Sequence, residues 1–219
     1  MDYGTMVDES FAYAKEAVMG RGNKWLMLII ATVLLGIPLM GYAMKVLRGE
    51  KPAPEVGGWG TLFIDGIKYF IVSLIYALPI IIVLILVLGA SAAAVMSGDY
   101  PAMMAAVGTV ALGVLVMFIL GIIITVFEVI GIVRFARTGS IGEAFNISEI
   151  LATINKIGWV SYIIALIILM VMGTVIGLIV GILTMIPYLG IVICICLIGP
   201  ITLLYTRYVC QIYDSAGAV

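Results

Sequence analysis

Long apolar runs separated by short polar interruptions organise this chain. In residues 1–24, Val7, Phe11, Ala14 and Val18 share one helical face, while Asp8, Lys15 and Glu16 point elsewhere. That pattern predicts an amphipathic helix lying on a membrane surface. The next run, 25–47, is apolar but carries Gly36, Pro38 and Gly41, residues that kink or break a helix. A charged connector follows, with Lys45, Arg48, Glu50, Lys51, Pro52, Pro54 and Glu55 ahead of Gly57-Gly58. Further apolar runs cover 62–88, 102–133, 159–185 and 189–206, with Pro187 marking a tight turn between the last two. Between the third and fourth of all the runs lies FARTGSIGEAFNISEILATINKIGW, 135–159. Ser140 and Glu143 have capping-box spacing and predict a helix over 140–157. Ala144, Ile147, Leu151 and Ile154 would form its apolar face, opposite Glu143, Asn146, Glu149, Thr153 and Lys156.

Composition sets the solvent. Of 219 residues, 64% are hydrophobic and 11% charged, too few charges to clothe a water-soluble surface. Lipid must surround most of the chain, and in lipid only helices and closed barrels satisfy the backbone. Continuous runs of helical length select helices. The predicted fold is an all-α, polytopic integral membrane helix bundle: one domain, 1–219, with four to five transmembrane spans plus cytoplasmic-surface amphipathic helices. The first apolar run starts too late, after too charged a segment, to read as a signal peptide.

Positive charge predicts sidedness, because short basic loops stay cytoplasmic. Segment 89–101 has no Lys or Arg and is predicted external. Loops 45–61 and 134–156 and the C-terminus are then cytoplasmic, in a multi-pass protein of the plasma membrane. Run 25–47 has two readings. As a crossing helix it puts the N-terminus outside, with Lys15, Arg21 and Lys24; as a re-entrant hairpin turning at Gly36-Ile37-Pro38 it keeps all eleven basic residues inside. A weak internal repeat, Phe11 to Trp25 and Phe145 to Trp159, also favours an inside N-terminus.

Candidate chemistry is sparse. Net charge is −1, which offers nucleic acid no basic surface. The chain has no His, the commonest general base and metal ligand. Cys194, Cys196 and Cys210 read as small apolar fillers. Phosphate-binding loops, nucleophile elbows and zinc-protease motifs are absent from the sequence. We therefore expect no catalytic residues, no cofactor and no metal site, and no enzyme activity. Glu128 lies inside the third run, where a carboxylate is a functional candidate, yet it sits near the membrane interface with Arg134, Arg137 or Arg207 as expected partners. Asp65 and Lys68, three apart, are expected to pair locally. Gly173, Gly177 and Gly181 line one helix face, for packing within the bundle or for a homo-oligomer or partner protein.

Three stretches, GYAMKVLRGEKPAPEVGGWGTLFIDGIKYFIVSLIYALP (41–79), FARTGSIGEAFNISEI (135–150) and GPITLLYTRYVCQIY (199–213), resemble domain-of-unknown-function family 4013. The resemblance implies a multi-span membrane protein, mainly archaeal, and no established activity or site residue. Two functions are expected to compete. One is a non-catalytic scaffold or accessory subunit engaging membrane lipids or a partner protein. The other is a small-solute or ion transporter, with Ser73, Thr109, Thr125, Glu128, Ser161, Thr174 and Thr184 as its polar residues.

Overall fold

The computed structural model describes residues 1–217. Among them the chain forms eight α-helices and one 3-10 turn, with no strand. In order these are α1 (Tyr3–Val18), α2 (Gly22–Val33), α3 (Ile37–Leu47), α4 (Trp59–Ser97), α5 (Tyr100–Thr138), the turn Ile141–Phe145, α6 (Ile147–Ile157), α7 (Trp159–Thr184) and α8 (Leu189–Asp214). Helices α4, α5, α7 and α8 are long and apolar enough to cross a membrane. Their flanks carry many exposed Ile, Leu, Val and Met side chains, an arrangement suited to lipid as the surrounding solvent.

Run 25–47 is broken in two. Leu35 (φ 59°) and Gly36 (φ 69°) adopt left-handed backbone, and Pro38 opens α3. At 12 and 11 residues, α2 and α3 are each shorter than 20 Å at about 1.5 Å per residue, less than a hydrocarbon core of about 30 Å. The loop predicted over 89–101 is instead mostly helix. Only Gly98 and Asp99 separate α4 from α5. The stretch Ala90–Val95 is rich in Ala, the best helix former, so α4 continues until Gly98 takes positive φ. The two 39-residue helices each run about 58 Å.

The chain divides into two compact units. The smaller is Val72–Glu128, the facing parts of α4 and α5. There Gly113 admits Val87 so closely that a Cβ would lie 2.3 Å from its side chain. Hydroxyls in this unit bond to their own helix: Ser91 to Val87 O, Thr109 to Ala105 O and Thr125 to Gly121 O. Such back-bonding satisfies a hydroxyl in an apolar medium without any partner helix.

The larger unit joins Met1–Ile71 to the chain from Val129 onward. Helix α8, last in sequence, is its hub and packs against α1, α2, α3, α6 and α7. Leu203 and Leu204 meet Tyr13, Ala14 and Ala17 of α1, Leu28 and Ala31 of α2, and Leu39, Tyr42 and Val46 of α3 in one core. Close backbone approach joins α3 to the start of α4: a Cβ on Gly41 would lie 1.9 Å from Leu62 O, and one on Gly66 1.9 Å from Ile37 O. These two glycines, rather than the expected series, perform tight packing. Around Gly177 and Gly181 the space is open, and Gly173 meets only the Tyr205 hydroxyl.

Helix α1 also has an inward face that the apolar pattern did not anticipate. Met6, Ser10, Tyr13, Ala14 and Ala17 are buried, while Phe11 is 50% exposed. Polar contacts across to α8 decide the rotation: Gln211 donates to Ser10 Oγ (3.0 Å) and Met6 O (3.2 Å), which turns Ser10 inward.

Pro200 lies inside α8. Having no N–H, it leaves the carbonyl four residues earlier, Cys196 O, without its helical partner. The Trp25 indole of α2 donates to that carbonyl at 3.0 Å. Trp25→Phe is expected to lower stability by about 1 kcal/mol in mild detergent. Adding Pro200→Ala, which restores the helical donor, is expected to recover most of the loss in the same thermal unfolding assay. A double variant no more stable than Trp25→Phe would show that the bond does not act through Cys196 O.

Candidate functional site

The connector between α3 and α4 has no regular secondary structure, so its carbonyls need partners from elsewhere. Four of them, together with the last carbonyl of α3, receive side-chain donors. Arg137 Nε donates to Leu47 O (2.7 Å), Tyr13 OH to Glu50 O (3.0 Å) and Lys24 Nζ to Ala53 O (2.6 Å). Tyr42 OH donates to Pro54 O (2.7 Å) and Lys45 Nζ to Gly57 O (2.9 Å). The donors come from α1, α2, α3 and α5, so the connector ties together four helices distant in sequence. Burial raises the Tyr13 phenol above its usual 10.0 against an opposing pull from Arg207, so it remains a donor at neutral pH.

Three arginines anchor this region through carboxylates. Arg48 pairs with Asp65 at 2.7 Å and also reaches Ala136 O. Asp65 therefore pairs with Arg48, not with Lys68 as expected: the connector folds Arg48 onto α4, and the planar guanidinium offers better geometry than a neighbouring lysine. Arg137 Nη2 meets Asp214 Oδ1 at 2.6 Å and Cys210 Sγ at 3.2 Å, and its Cζ lies 5.7 Å from the Tyr213 ring centre. Gly49, at φ 92°, leaves room for this guanidinium; a Cβ there would lie 3.0 Å from Nη2. Cys210 is thus a polar contact within the network, beyond the apolar filler expected; it is buried, Cys194 and Cys196 are half-buried, and all three are free thiols.

Arg134 grips the stretch that follows it. Its guanidinium pairs with Glu143 and lies 3.7 Å from Glu149, while Asn146 Nδ2 donates to Glu143 Oε1 (3.2 Å). Drawn to Arg134, Glu143 does not close a capping box, and the Ser140 side chain makes no cap hydrogen bond. The segment from Ile141 is a 3-10 turn, and α6 begins later, capped by Asn146 Oδ1 on Glu149 N (3.3 Å). A 3-10 turn advances about 120° per residue instead of 100°, so the face projected from Ser140 does not carry through. The buried face of α6 is Ile150, Thr153 and Ile154, and Ile147 is 58% exposed.

Glu128 closes the smaller unit, Val72–Glu128, which contains no Lys or Arg. Within its own unit it is half-buried, and the Ser73 hydroxyl lies beside it without hydrogen-bond geometry. Arg207 is buried, its guanidinium over the Tyr13 ring at 5.5 Å. Lys68 has no ion pair among the described residues. Sequence reasoning missed Tyr13, Lys24, Tyr42 and Asp214. Asp214 carried a usable signal, as the lone acid of the final helix four residues beyond Cys210. The tyrosines carried none, since their partners are carbonyls.

An all-helical chain with four membrane-length apolar helices and a polar network around one connector is a multi-pass membrane protein. It belongs to the family described as Protein of unknown function (DUF4013), whose model matches residues 25–185. That match covers α3, the connector and the Arg134 network; Tyr13, Lys24, Arg207 and Asp214 fall outside it. No curated protein and no solved structure matches the chain.

Two outcomes test the network. Asp214→Asn leaves Arg137 without its carboxylate in a partly exposed site, and is expected to lower stability by roughly 1–3 kcal/mol, less in an Arg137→Met background. Glu143 titrates below its ordinary 4.5 because it accepts hydrogen bonds from Arg134 and Asn146. A lowered folded-state value means stabilisation present above the ordinary carboxylate range and lost as pH falls through the folded value. The acid limb of the unfolding profile is therefore expected to be shallower in Glu143→Gln, with convergence on wild type at the acid end; parallel profiles would refute it.

Proposed function

We propose that this chain is a non-catalytic module of the plasma membrane, a scaffold or accessory subunit whose polar face engages lipid headgroups or a partner protein. The observation that carries the reading is the connector: four side-chain donors hold its carbonyls, a fifth holds the last carbonyl of α3, and three arginines hold carboxylates. The ionisable groups form a rigid platform instead of lining a path. The transporter reading has less support, because Thr109, Thr125 and Thr174 bond to their own helices.

The platform faces the cytoplasm in this proposal, with α1 and α6 at the headgroups and α2–α3 entering and leaving by one side. All eleven Lys and Arg residues belong to the larger unit, and Val72–Glu128 contains none. That distribution supports a cytoplasmic N-terminus and an external Gly98-Asp99 turn. The bare Gly177 and Gly181 face is available for a second copy or another helix.

In a chain with its native cysteines replaced, Asp99→Cys is expected to react with impermeant maleimide on intact cells, and Asp2→Cys and Lys51→Cys only after permeabilisation. The reverse pattern refutes the sidedness. Reconstituted liposomes are expected to show no proton or cation flux above empty ones, and purification from native membranes should retain an assembly larger than 23.4 kDa. Flux abolished by Glu128→Gln would replace the scaffold reading with transport.

A further inference from the structure

Arg207 is 2% exposed, the largest of the fully buried side chains. A buried guanidinium without an opposite charge is costly, and buried charges are ordinarily paired. Arg48, Arg134 and Arg137 each hold a carboxylate. Among the described residues Arg207 makes no ion pair. Its contacts are the Tyr13 ring at 5.5 Å and a long approach of Nη1 to Cys210 Sγ, 3.9 Å.

Arginine has five N–H donors. Those that Arg207 leaves unused are not sealed in the core: the enclosed polar atoms lacking a partner are Ser73 Oγ and Arg134 Nε. Arg207 lines a cavity of about 200 Å³ between α1, the connector and α8. Arg207 and Tyr13 line it together with Lys51 and Pro52 of the connector, and Glu9 and Glu16 of α1 complete the wall. Both acids are exposed, Glu16 lies 3.8 Å from Arg21, and neither forms an ion pair with Arg207.

We propose that this cavity binds a phosphate-type oxyanion, with Arg207 as its floor and Lys51 as its second cation. A guanidinium fork matches phosphoryl oxygens in geometry as well as charge. Two carboxylates on the wall disfavour a free dianion and favour a monoanion or a phosphodiester. Inorganic phosphate and a phospholipid headgroup share that chemistry. A phospholipid response would deepen the lipid side of the scaffold reading, and a response to inorganic phosphate alone would stand apart from it.

The test is thermal unfolding of delipidated protein in detergent. One arm adds inorganic phosphate against chloride at equal ionic strength. The other adds phospholipid against diacylglycerol of the same chains. Saturable stabilisation in either arm supports the site, and the arm that responds identifies the source. Arg207→Gln is expected to weaken half-saturation about tenfold or more. Glu9→Gln removes a repelling charge and is expected to tighten it about twofold or more, a gain that misfolding cannot imitate. No response above the controls in both arms overturns the proposal. So does an unchanged response in Arg207→Gln, or a Glu9→Gln variant that binds no tighter.

Discussion

Carbonyls that leave regular structure and are withdrawn from water must find donors within the protein. The stretch from Leu47, the last residue of α3, through the connector to Gly57 is where this constraint presses hardest, and the rest of the larger unit is arranged to meet it. Tyr13, Lys24, Tyr42, Lys45 and Arg137 converge on it from four helices. Because the donors are long side chains with fixed reach, each bond also sets how its helix lies against the connector. The same logic operates once more at Pro200, whose missing N–H is answered by Trp25 from across the unit. A proline that would weaken α8 alone becomes the point where α2 attaches.

The charged residues follow from this arrangement. Arg137 donates simultaneously to the connector and to Asp214, so one guanidinium joins α3, α5 and α8. Arg134 performs a similar task for the 3-10 turn and α6. Asp65 is taken by Arg48. Lys68, its neighbour in sequence, lost it to a charge brought close by folding.

How much was legible depends on range. The polar stretch 135–159 was readable as a connector leading into a helix, but its cap was not. Ser140 and Glu143 have the right spacing, yet Arg134 competes for Glu143 and wins because a charge-assisted bidentate-capable donor outweighs a backbone N–H. The inward face of α1 was not legible for a related reason. Apolar periodicity marks the Phe11 face, which stays exposed, whereas the inward face follows from α8, whose Gln211 and Arg207 favour Ser10 and Tyr13. The glycine series at Gly173, Gly177 and Gly181 follows the close-packing pattern, but tight approach occurs at Gly41 and Gly66, where helices α3 and α4 meet.

The lipid solvent, the helical class, the weak point at Gly36 and Pro38 and the absence of basic residues from 72–128 are all legible along the chain. These are sums of local transfer free energies and local backbone preferences, and they need no knowledge of neighbours. Which donor meets which acceptor depends on the fold. Arg137 reaches Leu47 across 90 residues and Trp25 reaches Cys196 across 171. Such pairings depend on where helices pack, and a hydrogen bond is made or lost over a few tenths of an ångström, a scale that periodicity does not resolve.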